Sequence, residues 1–319
     1  MNMSYLITGG CGFIGSNYIN DLYHKTNGMI VNIDMLTYAG KKENISKEII
    51  ESGRYKLYEY DLSDEKMKKN IYDILIKYEI DIIIHFAAQT HVTNSFLQSQ
   101  LYIKTNIIGT HNLLDCINGY KIKQFIHIST DEVYGESGLE DKIAKTEESE
   151  LKPTNPYSAS KAGAEMIVIS YYYSFNIPIK IVRCNNVYGK NQNEEKVIPK
   201  FIKLLNNNKK LTLEGNGLTK RCFIHTDDVN RAINIIIEKG KYNEIYNIGN
   251  DADELSIKEL AELMIKLYFK DDNYEKHIEY IKDRAYNDKR YFIDYSKLKK
   301  LGWNPKMQFN SEIINLLNI

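Results

Sequence analysis

The stretch Leu6-Ile7-Thr8-Gly9-Gly10-Cys11-Gly12-Phe13-Ile14-Gly15 decides the fold. Residues 5–8 are apolar or β-branched and read as a strand, and an amphipathic helix follows from near Phe13. Gly9, Gly12 and Gly15 stand between them in a G-x-x-G-x-x-G spacing. Glycine allows a tight turn and lets backbone N–H groups approach a pyrophosphate, and the helix N-terminus offers its positive end to the same anion.

Outward from this loop, short apolar runs recur at 29–33, 55–58, 82–86, 125–128 and 179–182. Longer amphipathic segments lie between them, as at 65–78 and 102–117. Short strands alternating with helices predict an α/β fold: a Rossmann-type doubly wound parallel sheet covered on both faces. After Arg183 the pattern loosens. Polar stretches at 185–195 and 206–220 surround a helix signal at 227–239, a strand at 244–248 and a helix at 257–269, with another polar run at 282–290. This predicts a smaller α/β substrate-binding region built from C-terminal segments. The cofactor domain is expected over 1–183 with 221–245, and the substrate domain over 184–220 with 246–319.

Asp34 ends the second strand, 19 residues beyond Gly15. A carboxylate there accepts hydrogen bonds from ribose hydroxyls and repels a 2′-phosphate, which favours NAD over NADP. An Asp can equally cap a turn; its place after the glycine loop favours the ribose. Asp61 and Leu62 follow the third strand. Ala87 and Ala88 follow the fourth, where small side chains leave room for a cofactor lying across the strand ends.

Ser129-Thr130-Asp131-Glu132 follows the fifth strand, and Tyr157 and Lys161 share one face of the next helix at i and i+4. A phenol ordinarily loses its proton near pH ~10. A nearby ammonium, with the positive nicotinamide ring, favours the phenolate, so Tyr157 is a candidate base for a substrate alcohol.

At this point the chain resembles the extended short-chain dehydrogenase/reductase family, and within it the nucleoside-diphosphate-glucose 4,6-dehydratases. GGCGFIGS, HFAAQTHV, STDEVYG, NPYSASKAGAE, RCNNVYG, EEKVIPKFI, YNIG and DRAYNDKRY carry the resemblance over nearly the whole length. The adjacent Asp131-Glu132 pair is the most specific of them. The resemblance implies bound NAD, contacted by Gly9, Gly12, Phe13, Ile14, Gly15, Asp34, Asp61, Leu62, Ala87, Ala88, Tyr157 and Lys161. Its catalytic set is Thr130, Asp131, Glu132, Tyr157 and Lys161. Glu132 would remove the C5 proton, Asp131 would protonate the departing C6 hydroxide, and Thr130 would hydrogen-bond O4. For the nucleotide sugar it implies Thr90, His91, Asn186, Glu195, Lys196, Leu211 (with the run to Glu214 along the base), Arg221, Asn247 and Arg284. The two arginines would clamp the diphosphate, because the planar guanidinium fork fits phosphate oxygens. A homodimer through a helical face is implied as well.

Departures from the family pattern bear on the nucleotide. Thr93 and Asn94 stand where dTDP-glucose enzymes carry an acid and an arginine, and Lys190 replaces a proline. RCNNVYG, AAQTHV and Asn287-Asp288 resemble the UDP-glucose dehydratase domain of rhamnose synthases, whereas Leu36-Thr37-Tyr38-Ala39-Gly40 resembles the dTDP type. UDP-glucose is favoured, with dTDP-glucose next. Two alternatives stay open: an NAD-dependent UDP-sugar 4-epimerase, which needs no acid–base pair at C5 and C6, and a non-catalytic NAD- or nucleotide-sugar-binding protein.

Lys plus Arg (42) balances Asp plus Glu (42), so no bulk charge is available to grip nucleic acid or a membrane. The opening residues carry no signal-peptide pattern and no apolar run is long enough to span a bilayer. Four scattered cysteines without a CxxC pair argue for reduced thiols, and a cytoplasmic location is expected. No His spacing suggests a metal site.

Overall fold

The computed structural model describes residues 2–252, 254–283 and 286–318. The first half alternates strand and helix: β1 (Ser4–Thr8), α1 (Phe13–Leu22), β2 (Ile30–Ile33), α2 (Lys47–Glu51), β3 (Tyr55–Tyr58), α3 (Lys68–Lys77) and β4 (Ile80–His85). There follow α4 (Val92–Leu97), α5 (Ser99–Tyr102), a π-helical stretch (Ile103–Ile108), α6 (Gly109–Ile117), β5 (Gln124–Thr130), α7 (Pro156–Phe175) and β6 (Ile179–Cys184). The second half holds β7 (Asn186–Tyr188), α8 (Val197–Asn206), β8 (Leu211–Glu214), β9 (Lys220–His225), α9 (Thr226–Lys239) and β10 (Glu244–Ile248). It ends with β11 (Glu254–Ser256), α10 (Ile257–Phe269), β12 (Ile278–Ile281), α11 (Ser296–Lys300) and α12 (Phe309–Leu317).

Seven strands form one sheet in the order β3-β2-β1-β4-β5-β6-β10, every neighbouring pair parallel. This is the doubly wound arrangement expected. Its inner strands are buried on both faces, so their residues sort by parity into two cores. Ile82, Ile84, Ile126 and Ile128 face α1 and α9 with Trp303. Ile83, Phe125, Ile179 and Ile181 face α3, α6 and α7.

The remaining strands build two small sheets, β11-β9-β7 and β12-β8, over a third core containing Phe201, Leu205, Leu260 and Met264. β9, expected with the cofactor domain, pairs with β7 in parallel and with β11 antiparallel. β10 closes the large sheet and runs to Ile248, past the expected boundary at 245. A buried ion pair ties α7 to β6: Arg183 meets the Glu165 carboxylate at 2.6 Å, the two side chains being 2% and 0% exposed. Among the described residues no helix is long and apolar enough to cross a membrane.

Candidate active site

The C-terminal ends of β1, β2, β4 and β5 open onto a cavity lined by the glycine loop, Asp34, Asp61, Leu62, Ala87 and Ala88. Tyr157 and Lys161 close its inner end. The three loop glycines divide two tasks. Gly9 has φ +70°, and a Cβ there would sit 2.6 Å from the Ala87 backbone; one on Gly15 would sit 2.4 Å from the Gly9 carbonyl. These two pack the loop against β4 and α1. A Cβ on Gly12 would meet only the Gly9 carbonyl, at 3.2 Å, so this position presents bare backbone to the cavity beside the start of α1. A pyrophosphate fits such a cradle. Asp34 reaches back to the loop: its carboxylate accepts the Cys11 and Leu36 N–H groups, each at 2.8 Å. Each oxygen keeps a further lone pair for a ribose hydroxyl. The residues present therefore fit a dinucleotide.

β5 delivers Thr130 to the sheet edge, and a single 3-10 turn (Asp131–Tyr134) follows, in which Thr130 Oγ1 accepts the Glu132 N–H at 3.3 Å. Opposite this turn starts α7. Pro156 occupies its first turn, and Asn155 and Ser158 cap it reciprocally, with Asn155 accepting the Ser158 N–H at 2.9 Å. The cap fixes where the helix begins, and so aims Tyr157 at Thr130, whose hydroxyl hydrogen-bonds the phenol. One turn on, the Lys161 ammonium donates to the Ile128 carbonyl at 2.6 Å.

The two carboxyls have different surroundings. Asp131 is 2% exposed and accepts the Asn185 amide at 2.7 Å. Burial pushes its carboxyl up to about 7, opposed by the Asn185 bond and reinforced by Glu132. Glu132 faces a second cavity. Burial raises its carboxyl too, while Lys196 pulls it back. Asn155 donates to Glu132 Oε2 at 3.3 Å.

The phenol of Tyr157 departs from the expected lowering. Burial, and then Glu132, push it well above its ordinary value. Burial also brings Lys161 down to about 8. With its ammonium spent on the Ile128 carbonyl, Lys161 does not offset this in the protein alone, and a phenolate there requires a further positive charge.

The second cavity adjoins the first through Glu195 and Lys196, which line both. His91, Asn186 and Arg221 line it with them, and Thr90 lies on the first cavity's wall. Lys196 Nζ donates to the Thr90 carbonyl at 3.1 Å, and Tyr38 donates to Glu195 at 3.1 Å, which pins this segment across the sheet edge. The Arg221 guanidinium stacks 4.7 Å over the Tyr291 ring.

Two expected substrate contacts fall elsewhere. Leu211 is fully buried in the third core, and the alternation of β8 turns Thr212 and Glu214 to the cavity instead. Asn247 is consumed inside the protein: its carbonyl accepts the Tyr134 hydroxyl at 2.8 Å and its amide donates to the Asp294 carbonyl at 2.9 Å. Arg284 lies outside the described residues. Sequence reading missed Asn155, Asn185 and Tyr291. Of these, only Asn155 had a local signal, an Asn-Pro pair ahead of a helix. Among the described residues no group of three or more His, Cys, Asp or Glu side chains is placed to hold a metal.

Comparison with known proteins agrees with this geometry. The chain is 41% identical to a dTDP-D-glucose 4,6-dehydratase of Dictyostelium discoideum, over 97% of this chain and 79% of that one. It is 44% identical to an Arabidopsis thaliana trifunctional UDP-glucose 4,6-dehydratase/UDP-4-keto-6-deoxy-D-glucose 3,5-epimerase/UDP-4-keto-L-rhamnose-reductase, over 93% of this chain but 44% of that longer protein. Its fold superposes on the crystal structure of DesIV, a dTDP-glucose 4,6-dehydratase from Streptomyces venezuelae with NAD and TYD bound, with a TM-score of 0.91 and 33% identity, covering 99% of this chain and 96% of that one. A family model described as GDP-mannose 4,6 dehydratase matches residues 6–315. With a relative this similar along almost its full length and that family match, the chain belongs to the GDP-mannose 4,6 dehydratase family.

Proposed function

We propose that this chain is an NAD-dependent dehydratase that converts a nucleoside-diphosphate-glucose to its 4-keto-6-deoxy sugar, with UDP-glucose the favoured substrate and dTDP-glucose next. The observation that carries this reading is the pair Asp131 and Glu132, adjacent in sequence but placed in different environments at the edge of β5. Two carboxyls held apart in this way can serve as an acid and a base.

Bound NAD, held by the glycine loop and Asp34, would supply reversible hydride chemistry to the sugar. The protein handles the protons. Tyr157 takes the O4 proton, steadied by Thr130. A ketone at C4 then acidifies the C5–H bond, and Glu132 removes that proton. Asp131, with its carboxyl near neutrality, gives its proton to the departing C6 oxygen, and water leaves. The C5 proton position is refilled from Glu132 at the end. Lys196 and Arg221 supply positive charge for the diphosphate between the two cavities.

The UDP preference is supported by the RCNNVYG and AAQTHV segments and by the likeness to the trifunctional plant protein. The test is product analysis after incubation with UDP-glucose and dTDP-glucose side by side. A 4-keto-6-deoxy product forming faster from UDP-glucose is expected. A product epimerised at C4 without loss of water, or no product at all, would reject the dehydratase reading.

The four cysteines are free and buried, which suits a reducing compartment, and we assign the protein to the cytoplasm. A homodimer is supported by the apolar side chains exposed along the packed helices α4 to α7, among them Leu97, Ile103, Met166 and Tyr173. Sedimentation of a monomer at micromolar concentration would exclude it.

A further inference from the structure

Glu132 shares the wall of the second cavity with another carboxyl, Asp288, on the C-terminal segment. Asp288 is 4% exposed. Both of its oxygens lie within reach of Thr154 Oγ1, at 2.8 and 2.9 Å, just ahead of the cap of α7. Its Oδ2 accepts the Tyr291 hydroxyl at 2.6 Å. That same hydroxyl oxygen stands 3.4 Å from Glu132 Oε2.

A phenol has one proton to give. The short bond to Asp288 takes it, so Tyr291 turns a lone pair toward Glu132. A lone pair facing a carboxylate repels it, and facing a carboxylic acid it accepts a hydrogen bond. We infer that Asp288 is a positioning residue that orients Tyr291 so that Glu132 is stabilised once it has taken up a proton. The inference rests on reading Glu132 as the base for C5, and extends it: Asp288 and Tyr291 set the strength of that base by favouring its protonated form.

Other charged groups face Glu132 as well. Lys196 from the shared loop and Arg221 from β9 favour its carboxylate. Asp288 opposes them, as do the neighbouring Asp131 and Tyr157. The strength of the base is the balance between these two sets, and Asp288 acts on it through a second side chain, Tyr291.

Asp288→Asn reverses the lever. With Thr154 donating to its carbonyl, the new amide faces Tyr291 and donates to it, which frees the phenol proton for Glu132. The negative charge is lost at the same time. Both changes favour ionised Glu132. The experiment is the pH dependence of kcat for wild type and D288N with the better nucleotide sugar, alongside KM. The acid limb of D288N should move down by about one pH unit, and kcat at the wild-type optimum should drop about tenfold because the base is weaker. An acid limb that coincides with wild type, whether or not turnover falls, overturns the inference and leaves the function intact. If D288N does not fold by circular dichroism, Tyr291→Phe, which keeps the ring under Arg221 but removes the oxygen that accepts from protonated Glu132, must show the limb displaced in the same direction, and an unmoved limb overturns the proposal. No product from the wild-type protein would instead remove the dehydratase reading on which it stands.

Discussion

Asn185 donates its amide to Asp131 at 2.7 Å while its own side-chain oxygen receives the Asn250 N–H at 3.3 Å. The backbone N–H of Asn185 meets the Ile248 carbonyl at 3.0 Å. Asp131 is therefore fastened, through one side chain, to the end of β10, the last strand to join the large sheet. A carboxyl so held cannot swing toward solvent, and its affinity for a proton is set by the fold.

Asp131→Asn keeps the shape and removes the acid. Turnover should fall by roughly 10²- to 10⁴-fold, and because C4 oxidation needs no proton from this residue, absorbance of reduced nicotinamide should build up when substrate is mixed with the loaded enzyme. A variant that turns over normally would exclude the acid role.

The same residue predicts a basic limb. An acid must carry its proton, and this carboxyl is raised from 3.8 to about 7. The protonated fraction is full below that value and declines about tenfold per unit above it. The rate should therefore decline with pH from near neutrality, and the limb should vanish in Asp131→Asn residual activity. A rate flat to pH ~9 would contradict the assignment.

Tyr157→Phe deletes the hydroxyl that Thr130 contacts while leaving the ring packed edge-on to Tyr102 at 6.4 Å. Oxidation at C4 should slow by at least about 10²-fold, with thermal stability within a few degrees of wild type. Rapid single-turnover oxidation in this variant would eliminate the phenol as the base.

Arg221→Ala removes a guanidinium that stacks on Tyr291 and lines the second cavity. A charge-assisted bond to phosphate is worth about 1.5–3 kcal/mol, so KM for the nucleotide sugar should rise by ten-fold or more, by that conversion, with a smaller change in kcat. Calorimetric titration with UDP giving wild-type affinity would take Arg221 out of the diphosphate clamp.

Arg183→Met leaves the Glu165 carboxylate buried without its cation. Breaking a pair of this kind costs about 3–5 kcal/mol, a large share of the stability of any domain. Urea denaturation should show a midpoint shifted well down, and an unshifted midpoint would mean that the pair contributes nothing net.

What could be read before the structure follows from how local each signal is. The inner strands of the large sheet are buried on both faces, so 82–86 stands out as an apolar run, and the glycine spacing marks the first turn without help from the rest of the chain. β7 and β8 are short and carry polar residues, so periodicity alone shows only polar stretches at 185–195 and 206–220. Within 211–214 the alternation Leu-Thr-Leu-Glu was present, and a period of two would have sent Leu211 and Leu213 inward and the other two toward ligand. Asn247 shows the opposite limit. A buried Asn reads the same in sequence whether it binds substrate or ties three segments together, and only the Tyr134 and Asp294 contacts separate the two. Asn185 and Tyr291 act across sequence distances of 54 and 159 residues, which no local pattern reports.

The wall formed by Glu195 and Lys196 belongs to both chambers. Any shift that one guest imposes on this partition is felt by the other, and such influence is symmetric: whatever factor the sugar nucleotide applies to the grip on the dinucleotide is returned to it unchanged. Measured separately, neither ligand would report its true working affinity, and only the ternary assembly would.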